Sequence, residues 1–484
     1  MDAPRICLLG SQATELAAYL DSHPNGHERA AVVMFRRFRS KLAELPSSDR
    51  FVAVEITPFH EHWLTGSSAI HFEYSLRVLR PFFQRCEDEG LVFGLVHNHP
   101  HGYHDFSGQD DENERVLLQA IANRNGKDCH LVAIVRCDGQ WHARVRYGQT
   151  PDQAVSVRHI AVLGDRVELH DVPRTGNLAE EEDTWARQAA AFGRPFVDKL
   201  RSLRIGVVGC SGTGSPAATV LARAGIGELV VIDQDPLARS NLNRVRGAGK
   251  NDIGRNKAEI ARDFIRGLDL DVHVTAINAL VDISPEAIDA LATCDVVFGC
   301  TDDDLGRLAL NAAVSYYGLA YIDLGLGGNI ARGQNGMPRI THQFGRVSLI
   351  LPEFGACLYC QRVTSDQDGN RQQAIRDNPQ ITEEELAERY LPGGREQAPG
   401  VGPFTSAIAD FGVATLFDLI QPYMRLSSEL RRDIVHIDFV RMTTASPMPV
   451  EDQNCVYCGT REHKLKLTPY RLGRPQLGKI SKDV

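Results

Sequence analysis

Two stretches of the chain carry residue types whose spacing could do chemistry. In the first, His97-Asn98-His99-Pro100 runs on to Ser107 and Asp110. Side chains alternate across an extended strand, so His97 and His99 face one side and both imidazoles can reach one metal ion. Asp110 can fold back as a third ligand. Three protein ligands with an open fourth position form the arrangement of a catalytic zinc, which activates water near neutral pH. The Ser107 hydroxyl is placed to donate to a developing oxyanion. His101 and His104 read as bystanders, since the chain holds 17 histidines in all.

The second stretch runs from Arg204 to Lys257 and opens RIGVVGCSGTGSP. It reads as a buried strand, a turn built on Gly209, Gly212 and Gly214, and a helix that Ser215 can cap with Pro216 in its first turn. The free N–H groups and positive dipole end of that helix suit an anion. Cys210 sits in the turn, where a helix N-terminus would lower a thiol pKa. Val230 to Ile232 form the next strand, and Asp233 at its end stands where such folds place a ribose-binding acid. A glycine turn alone also fits an NAD dehydrogenase. The polar loop with Asn241, Arg244 and Lys257, and the acids of CTDDD (Cys300 to Asp304), argue otherwise. Cations and a metal-binding carboxylate suit attack on an α-phosphate, where charge builds on phosphoryl oxygens.

A third group is the pair CLYC (Cys357, Cys360) and CVYC (Cys455, Cys458). One CxxC could be redox-active or plain buried thiol, whereas two supply the four thiolates of a closed tetrahedral zinc site. Their long separation is unlike a zinc ribbon. Of the other cysteines, Cys7, Cys86, Cys129, Cys137, Cys294 and Cys300 read as core residues.

The elements that must hold these groups make an α/β protein. Toward the N-terminus, Leu16–Leu20 ends a short helix and His23–Gly26 is a turn. Ala30–Phe35 is a strand with Glu28 at its start, Phe51–Ile56 is another, and Leu76–Glu87 has helical spacing. Leu91–Val96 is a buried strand leading into the histidines, and Val155–Val172 alternates like a closing strand pair. Pro173–Asp183 reads as linker, with Glu180 to Asp183 as solvated charge. Asp295–Gly299 and Tyr321–Gly325 are strands of the second domain. Residues 361–400 are polar and suit a mobile crossover loop. The predicted domains are residues 1–165, a linker over 166–183, residues 184–460, and a basic tail over 461–484.

A chain of 484 residues can bury two or three cores. Its net charge of −9 argues against a general nucleic-acid or membrane binder. No apolar run approaches the roughly 20 residues of a membrane span, and MDAPRICLLG lacks a signal-peptide pattern. Eleven cysteines with two CxxC pairs suggest reduced thiols plus metal, hence a cytoplasmic protein.

The string DQDPLARSNLNR, the GRNKA that follows and the CTDD closely resemble the ThiF/MoeB/HesA superfamily, the adenylating core of ubiquitin-activating enzymes; the resemblance spans about Trp185 to Gly459. It implies a Rossmann-like domain that uses ATP and Mg²⁺. Asp233 would hold the ribose, Asn241, Arg244 and Lys257 would surround the triphosphate, and Asp302 would bind magnesium. Gly209, Gly212 and Gly214 would shape the nucleotide turn. Trp185-Ala186-Arg187-Gln188 is similar to the family's entry motif, which implies a homodimer in which Arg187 reaches the partner's ATP. Paired CxxC motifs in that family carry a structural zinc. Ala398 stands near where relatives have a thioester-forming cysteine, so adenylation without an own thioester is expected.

The HxHP, Ser and Asp string resembles the JAB/JAMM (MPN-like) metalloprotease motif. That family adds an upstream glutamate as general base; Glu28 matches by context, and Glu55, also on a strand, is the alternative. Together the resemblances imply a two-headed enzyme for a ubiquitin-like or sulfur-carrier protein ending in glycine. A zinc peptidase would trim or deconjugate the tail, and an ATP-dependent head would adenylate the exposed carboxylate. A ubiquitin-conjugating-enzyme-like protein is a conceivable acceptor. Two alternatives stay open: carrier activation toward a thiocarboxylate in cofactor or cysteine synthesis, and a non-catalytic scaffold.

Overall fold

The computed structural model describes residues 3–46, 49–68, 72–100, 105–173, 178–332, 336–389, 391, 400–424 and 433–459, with the backbone alone over 178–183. His101, His104, Ala398 and the tail from Arg461 lie outside the described residues, as do the side chains of Glu180 to Asp183. The chain divides near residue 175 into two compact units.

The first unit contains strands β1 (Arg5–Leu9), β2 (Ala30–Phe38), β3 (Arg50–Pro58), β4 (Leu64–Ser67), β5 (Phe72–Tyr74), β6 (Val92–Asn98), β7 (His130–Cys137), β8 (Gln140–Tyr147), β9 (Ala154–Ser156), β10 (His159–Leu163) and β11 (Val167–His170). Its helices are α1 (Gly10–Asp21), α2 (Arg80–Glu89) and α3 (Gly108–Asn125). Nine strands form one mixed sheet in the order β11-β10-β1-β3-β2-β6-β7-β8-β9, and β4 and β5 pair separately. The interior strands are near-continuous apolar runs, as a sheet covered on both faces requires. Ile6, Leu8, Phe35, Phe51, Val96 and Ile134 are at most 1% exposed and join one core cluster.

His130 lies in that interior, 9% exposed, with its ring 4.9 Å from that of Tyr147. Burial pushes its pKa down to about 4. The unfolded chain therefore binds the extra proton between pH 6.5 and about 4, and stability is full above that window and falls through it. The linked loss is about 3 kcal/mol by pH 4. Thermal melts from pH 7.5 to 4.5 should show the first unit losing stability; His130→Phe should flatten that slope, and an unchanged slope would contradict the assignment.

The second unit opens with α4 (Leu178–Phe192) and α5 (Arg194–Ser202). It continues through β12 (Arg204–Val208), α6 (Gly214–Arg223), β13 (Glu228–Ile232), α7 (Lys257–Arg266), β14 (His273–Ile277), α8 (Pro285–Leu291), β15 (Val296–Gly299), α9 (Asp304–Tyr317), β16 (Ala320–Arg332) and β17 (Pro338–Ile350). Then come α10 (Asp366–Asp377), α11 (Glu383–Glu388), α12 (Gly402–Ile420), β18 (Ile434–Asp438) and β19 (Thr443–Ala445). The sheet runs β14-β13-β12-β15-β16-β17-β18-β19. Pairing is parallel from β14 to β16 and antiparallel beyond. The chain winds outward from β12 through β13 and β14, then returns to lay β15 on the other side of β12. That reversal opens a crevice beyond the carboxyl ends of β12 and β15, where open α/β sheets place ligands.

Several expectations are corrected. The closing strand pair expected within Val155–Val172 is present as the antiparallel β10 and β11, with Val167 and Leu169 buried, so the linker expected from residue 166 starts later, and the backbone of α4 already begins at Leu178. The polar stretch 361–400 holds α10 and α11, capped by Ser365 and Thr382 side chains. Local caps and acidic first turns suffice to start helices that bury few apolar residues. Finally, α12 is a 19-residue helix long and apolar enough, by length and composition, to cross a membrane. It packs on α6, β16 and β17, which accounts for its apolarity as a core helix.

Candidate functional site

In the second unit the glycine turn joins β12 to α6. Gly209 has φ +88°, and a Cβ there would lie 2.7 Å from the Cys300 carbonyl oxygen. A Cβ on Gly214 would meet the Gly209 oxygen at 1.6 Å. Only glycine fits either position, and the turn presses directly on the CTDD segment. Thr213 Oγ1 donates to the Cys300 carbonyl at 3.3 Å, tying the two together.

Asp233 follows β13, and its carboxylate accepts from Cys210 N at 2.7 Å and Asp235 N at 2.8 Å. Burial raises its pKa; those backbone donors and the Lys257 charge oppose the rise. Lys257 starts α7, and its Nζ lies 2.9 Å from Asp235 Oδ2. Asn256 caps that helix and donates to the Asp233 carbonyl at 2.8 Å, so one residue fixes both Asp233 and Lys257. Asn241 is buried, and its Oδ1 accepts from Ala238 N at 2.9 Å. The Arg244 stem lies over the turn, with its Cδ 3.0 Å from where a Gly212 Cβ would stand. Its Nη1 donates to the Ser240 carbonyl at 2.8 Å. Asp302 is exposed beyond β15, while Asp303 beside it caps α9 through Gly306 N. Trp185 Nε1 donates to the Arg223 carbonyl at 3.0 Å and anchors α4; Arg187 on that helix is exposed.

Two expectations about the turn fail. Ser215 does not cap α6: its hydroxyl donates to the Ser211 carbonyl at 2.7 Å and accepts from Arg246 N at 2.8 Å. Thr213 holds the cap position instead, because the helix begins at Gly214. Cys210 is not an activated thiol. It is 0% exposed, and burial and the Asp233 charge raise its pKa well above the ordinary value. Its sulfur points toward the Ile232 carbonyl, away from solvent.

The four cysteines of the CxxC pairs converge, with their sulfurs all within 4.8 Å of one another. Cys357 and Cys455 sulfurs stand 3.7 Å apart, and those of Cys360 and Cys458 3.6 Å. A tetrahedron of thiolates at zinc–sulfur bond length has an edge of about 3.8 Å, so the cluster fits a structural zinc. Asn311 on α9 accepts from Leu358 N at 2.9 Å, and Ser315 donates to the Tyr457 carbonyl at 3.2 Å. One helix thus carries both cysteine knuckles.

In the first unit His97 and His99 leave the end of β6, with their Nε2 atoms 3.0 Å apart. Asp110, in the first turn of α3, brings Oδ1 to 3.1 Å from His97 Nε2 and Oδ2 to 3.4 Å from His99 Nε2. Three convergent ligand atoms of this kind fit a three-coordinate zinc set with an open position. Burial opposes the Asp110 charge, but hydrogen bonds with His97 and His99 outweigh it and hold the carboxyl well below the usual range. Ser107 caps α3 and donates its hydroxyl to Asp110 Oδ2 at 2.7 Å. Arg144 lies 2.9 Å from Asp111, and Arg146 Nε 2.7 Å from the buried Glu114, clamping the start of α3 onto β8.

Ala30 pairs with His97 across β2 and β6, which brings the buried Glu28 into electrostatic reach of His99. Glu55 pairs with Met34, and Met34 with Phe93, four residues from His97. At strand rise that is about 13 Å away. Its carboxylate is engaged by Arg85 at 2.8 Å. Sequence reasoning missed Asn98, whose Oδ1 accepts from Arg29 N at 2.7 Å and whose Nδ2 donates to the Leu20 carbonyl at 3.0 Å. Lying between two candidate ligands, it locks the Glu28 segment beside them.

The profile of the ThiF family matches residues 185–458, more than half of the chain. The chain belongs to the ThiF family. The SAMP-activating enzyme E1 of Haloferax volcanii is 41% identical over 124 residues, covering 26% of this chain and 46% of that protein. The sulfur carrier protein ThiS adenylyltransferase of Escherichia coli is 38% identical over 116 residues, 24% of this chain and 45% of that one. The chain thus spans less than half the length of either relative. E. coli MccB with ATP is a solved structure similar at 19% identity and a TM-score of 0.42, covering 57% of this chain and 74% of that one. The family match begins at residue 185, after the first unit.

Proposed function

We propose that the second unit adenylates the C-terminal carboxylate of a small carrier protein, of the ubiquitin-like or sulfur-carrier kind that two relatives are named for. The observation that carries this reading is the meeting of the glycine turn, Asp233, Arg244 and the CTDD segment at the crevice where the strand order reverses. ATP·Mg supplies the activated phosphorus when bound. Asp233, fixed by Cys210 N, is placed for the ribose hydroxyls. The N-terminus of α6, Arg244 and Lys257 offer positive charge to phosphate oxygens, and Asp302 is the exposed carboxylate for the magnesium ion. Carboxylate and ATP would give acyl-adenylate and pyrophosphate. A homodimer with Arg187 serving the partner's nucleotide belongs to the same reading. The test is carrier-dependent exchange of labelled pyrophosphate into ATP, which should require a free C-terminal glycine carboxylate.

The His97, His99 and Asp110 cluster favours a second reading for the first unit: a JAB/JAMM-type zinc peptidase acting on the same tail. The three ligands would hold a zinc that activates water, Glu28 would take its proton, and the Ser107 hydroxyl, one rotation from Asp110, would face the oxyanion. Trimming or deconjugation exposes the carboxylate that adenylation consumes, which gives the two units one substrate.

A further inference from the structure

One strand beyond the CTDD segment stands a buried charged cluster that the phosphate site does not use. Asp323 on β16 pairs in register with Gly299, the last residue of β15, so it lies level with the crevice. It is 0% exposed and accepts from the Tyr321 hydroxyl at 2.7 Å. Arg346 on β17 donates to its other oxygen and to Ser348 Oγ. Gly299 and Gly325 clear the space: a Cβ on either would meet the Tyr321 hydroxyl at 2.4 Å or the Arg346 guanidinium at 2.6 Å.

Arg307, in the first turn of α9, is the unsatisfied member. It is 8% exposed, and its Nε approaches Asp323 only to 3.4 Å without a hydrogen bond. A guanidinium carries five donors in a fixed fork and keeps its proton in proteins. Asp323 already serves Arg346 and Tyr321, so two buried cations share one carboxylate. Burying a charged fork with so few bonds is costly, and an oxyanion is what completes it. Asp302 and Asp304 lie within its electrostatic reach.

The sheet order says which oxyanion. Asp233 follows β13, the glycine turn follows β12, Asp302 follows β15, and Arg307 lies beyond, toward β16. A nucleotide seated on Asp233 and the turn approaches Asp302 from one side; Arg307 is on the other. We propose that Arg307 receives the terminal carboxylate of the carrier tail, an assignment that rests on the adenylation reading above. One carboxylate oxygen held by the guanidinium leaves the other free to attack the α-phosphorus. A phosphorus–oxygen bond forms there as the bond to pyrophosphate breaks, pyrophosphate leaves with that electron pair, and no proton moves.

The probe is a fluorescent ten-residue peptide ending in Gly-Gly, as free acid and as amide, titrated onto the full chain with and without Mg²⁺ and an α,β-methylene ATP analogue. The wild type should bind the acid at least tenfold more tightly than the amide. Arg307→Gln should bring that ratio close to one while nucleotide affinity stays within twofold, and Arg307→Lys should keep part of it. An unchanged ratio in Arg307→Gln overturns the proposal, and so does a wild type that never distinguishes acid from amide. Loss of nucleotide affinity in Arg307→Gln would assign the guanidinium to a phosphate and overturn it equally. A wild type whose acid preference is lost in Arg307→Gln but which binds no nucleotide would sink the adenylation reading and leave only the carboxylate contact of Arg307.

Discussion

Asp302→Ala should lower carrier-dependent pyrophosphate exchange by about 10² to 10³-fold, the scale on which removal of a charge-stabilising group acts. Asp302 is exposed, and no hydrogen bond among the described residues engages it, so its removal should change stability by no more than about 0.5 kcal/mol. The glycine turn and Asp233 are held by other bonds, those of Cys210 N, Asp235 N and Asn256. ATP binding should therefore weaken far less than turnover. Zinc held by the cysteine cluster should be unaffected, since its knuckles are anchored by Asn311 and Ser315. Exchange that survives in Asp302→Ala at wild-type magnesium would remove Asp302 from the site.

Glu28→Gln should abolish cleavage after a Gly-Gly tail by about 10² to 10⁴-fold, the contribution of a positioned general base, while zinc is still bound by His97, His99 and Asp110. The amide keeps the size of the buried side chain, and the register of Ala30 with His97 does not depend on its charge. Glu55→Gln is the matched comparison. It breaks the ion pair with Arg85, whose side chain is 36% exposed, so the expected cost is at most about 1 kcal/mol with cleavage intact. Full cleavage in Glu28→Gln with loss in Glu55→Gln would reverse the assignment.

Local chemistry made much of this legible. The turn is legible from its own glycines, with Gly209 at φ +88° and Gly214 against the Gly209 carbonyl, though Gly209 is also pressed by the distant Cys300, and Asp233 stands one residue past a run of apolar strand residues. The two CxxC pairs announce themselves because four thiolates have few other common uses. What escaped is long-range. Arg307, Asp323 and Arg346 meet only through the pairing of β15, β16 and β17, and no spacing in the sequence brings them together. Cys210 looked activated from its place at a helix start, yet burial decides the pKa of a thiol that faces the neighbouring strand β13. Ser215 looked like a cap because the helix start was set two residues late, at Pro216 rather than Gly214. Asn98, between two histidines, read as spacer and proved to be the clamp on the Glu28 segment.

The measurement closest to the central claim is intact mass spectrometry of a small carrier protein ending in Gly-Gly, after incubation with the full chain and ATP·Mg. The account predicts gain of one adenylate on the carrier, absent in Asp302→Ala and absent when the terminal carboxylate is amidated. A carrier with a C-terminal extension should lose it before the adenylate appears. Adenylate found on an amidated carrier, or a panel of Gly-Gly carriers left unmodified by a chain that binds ATP, would contradict adenylation of a terminal carboxylate.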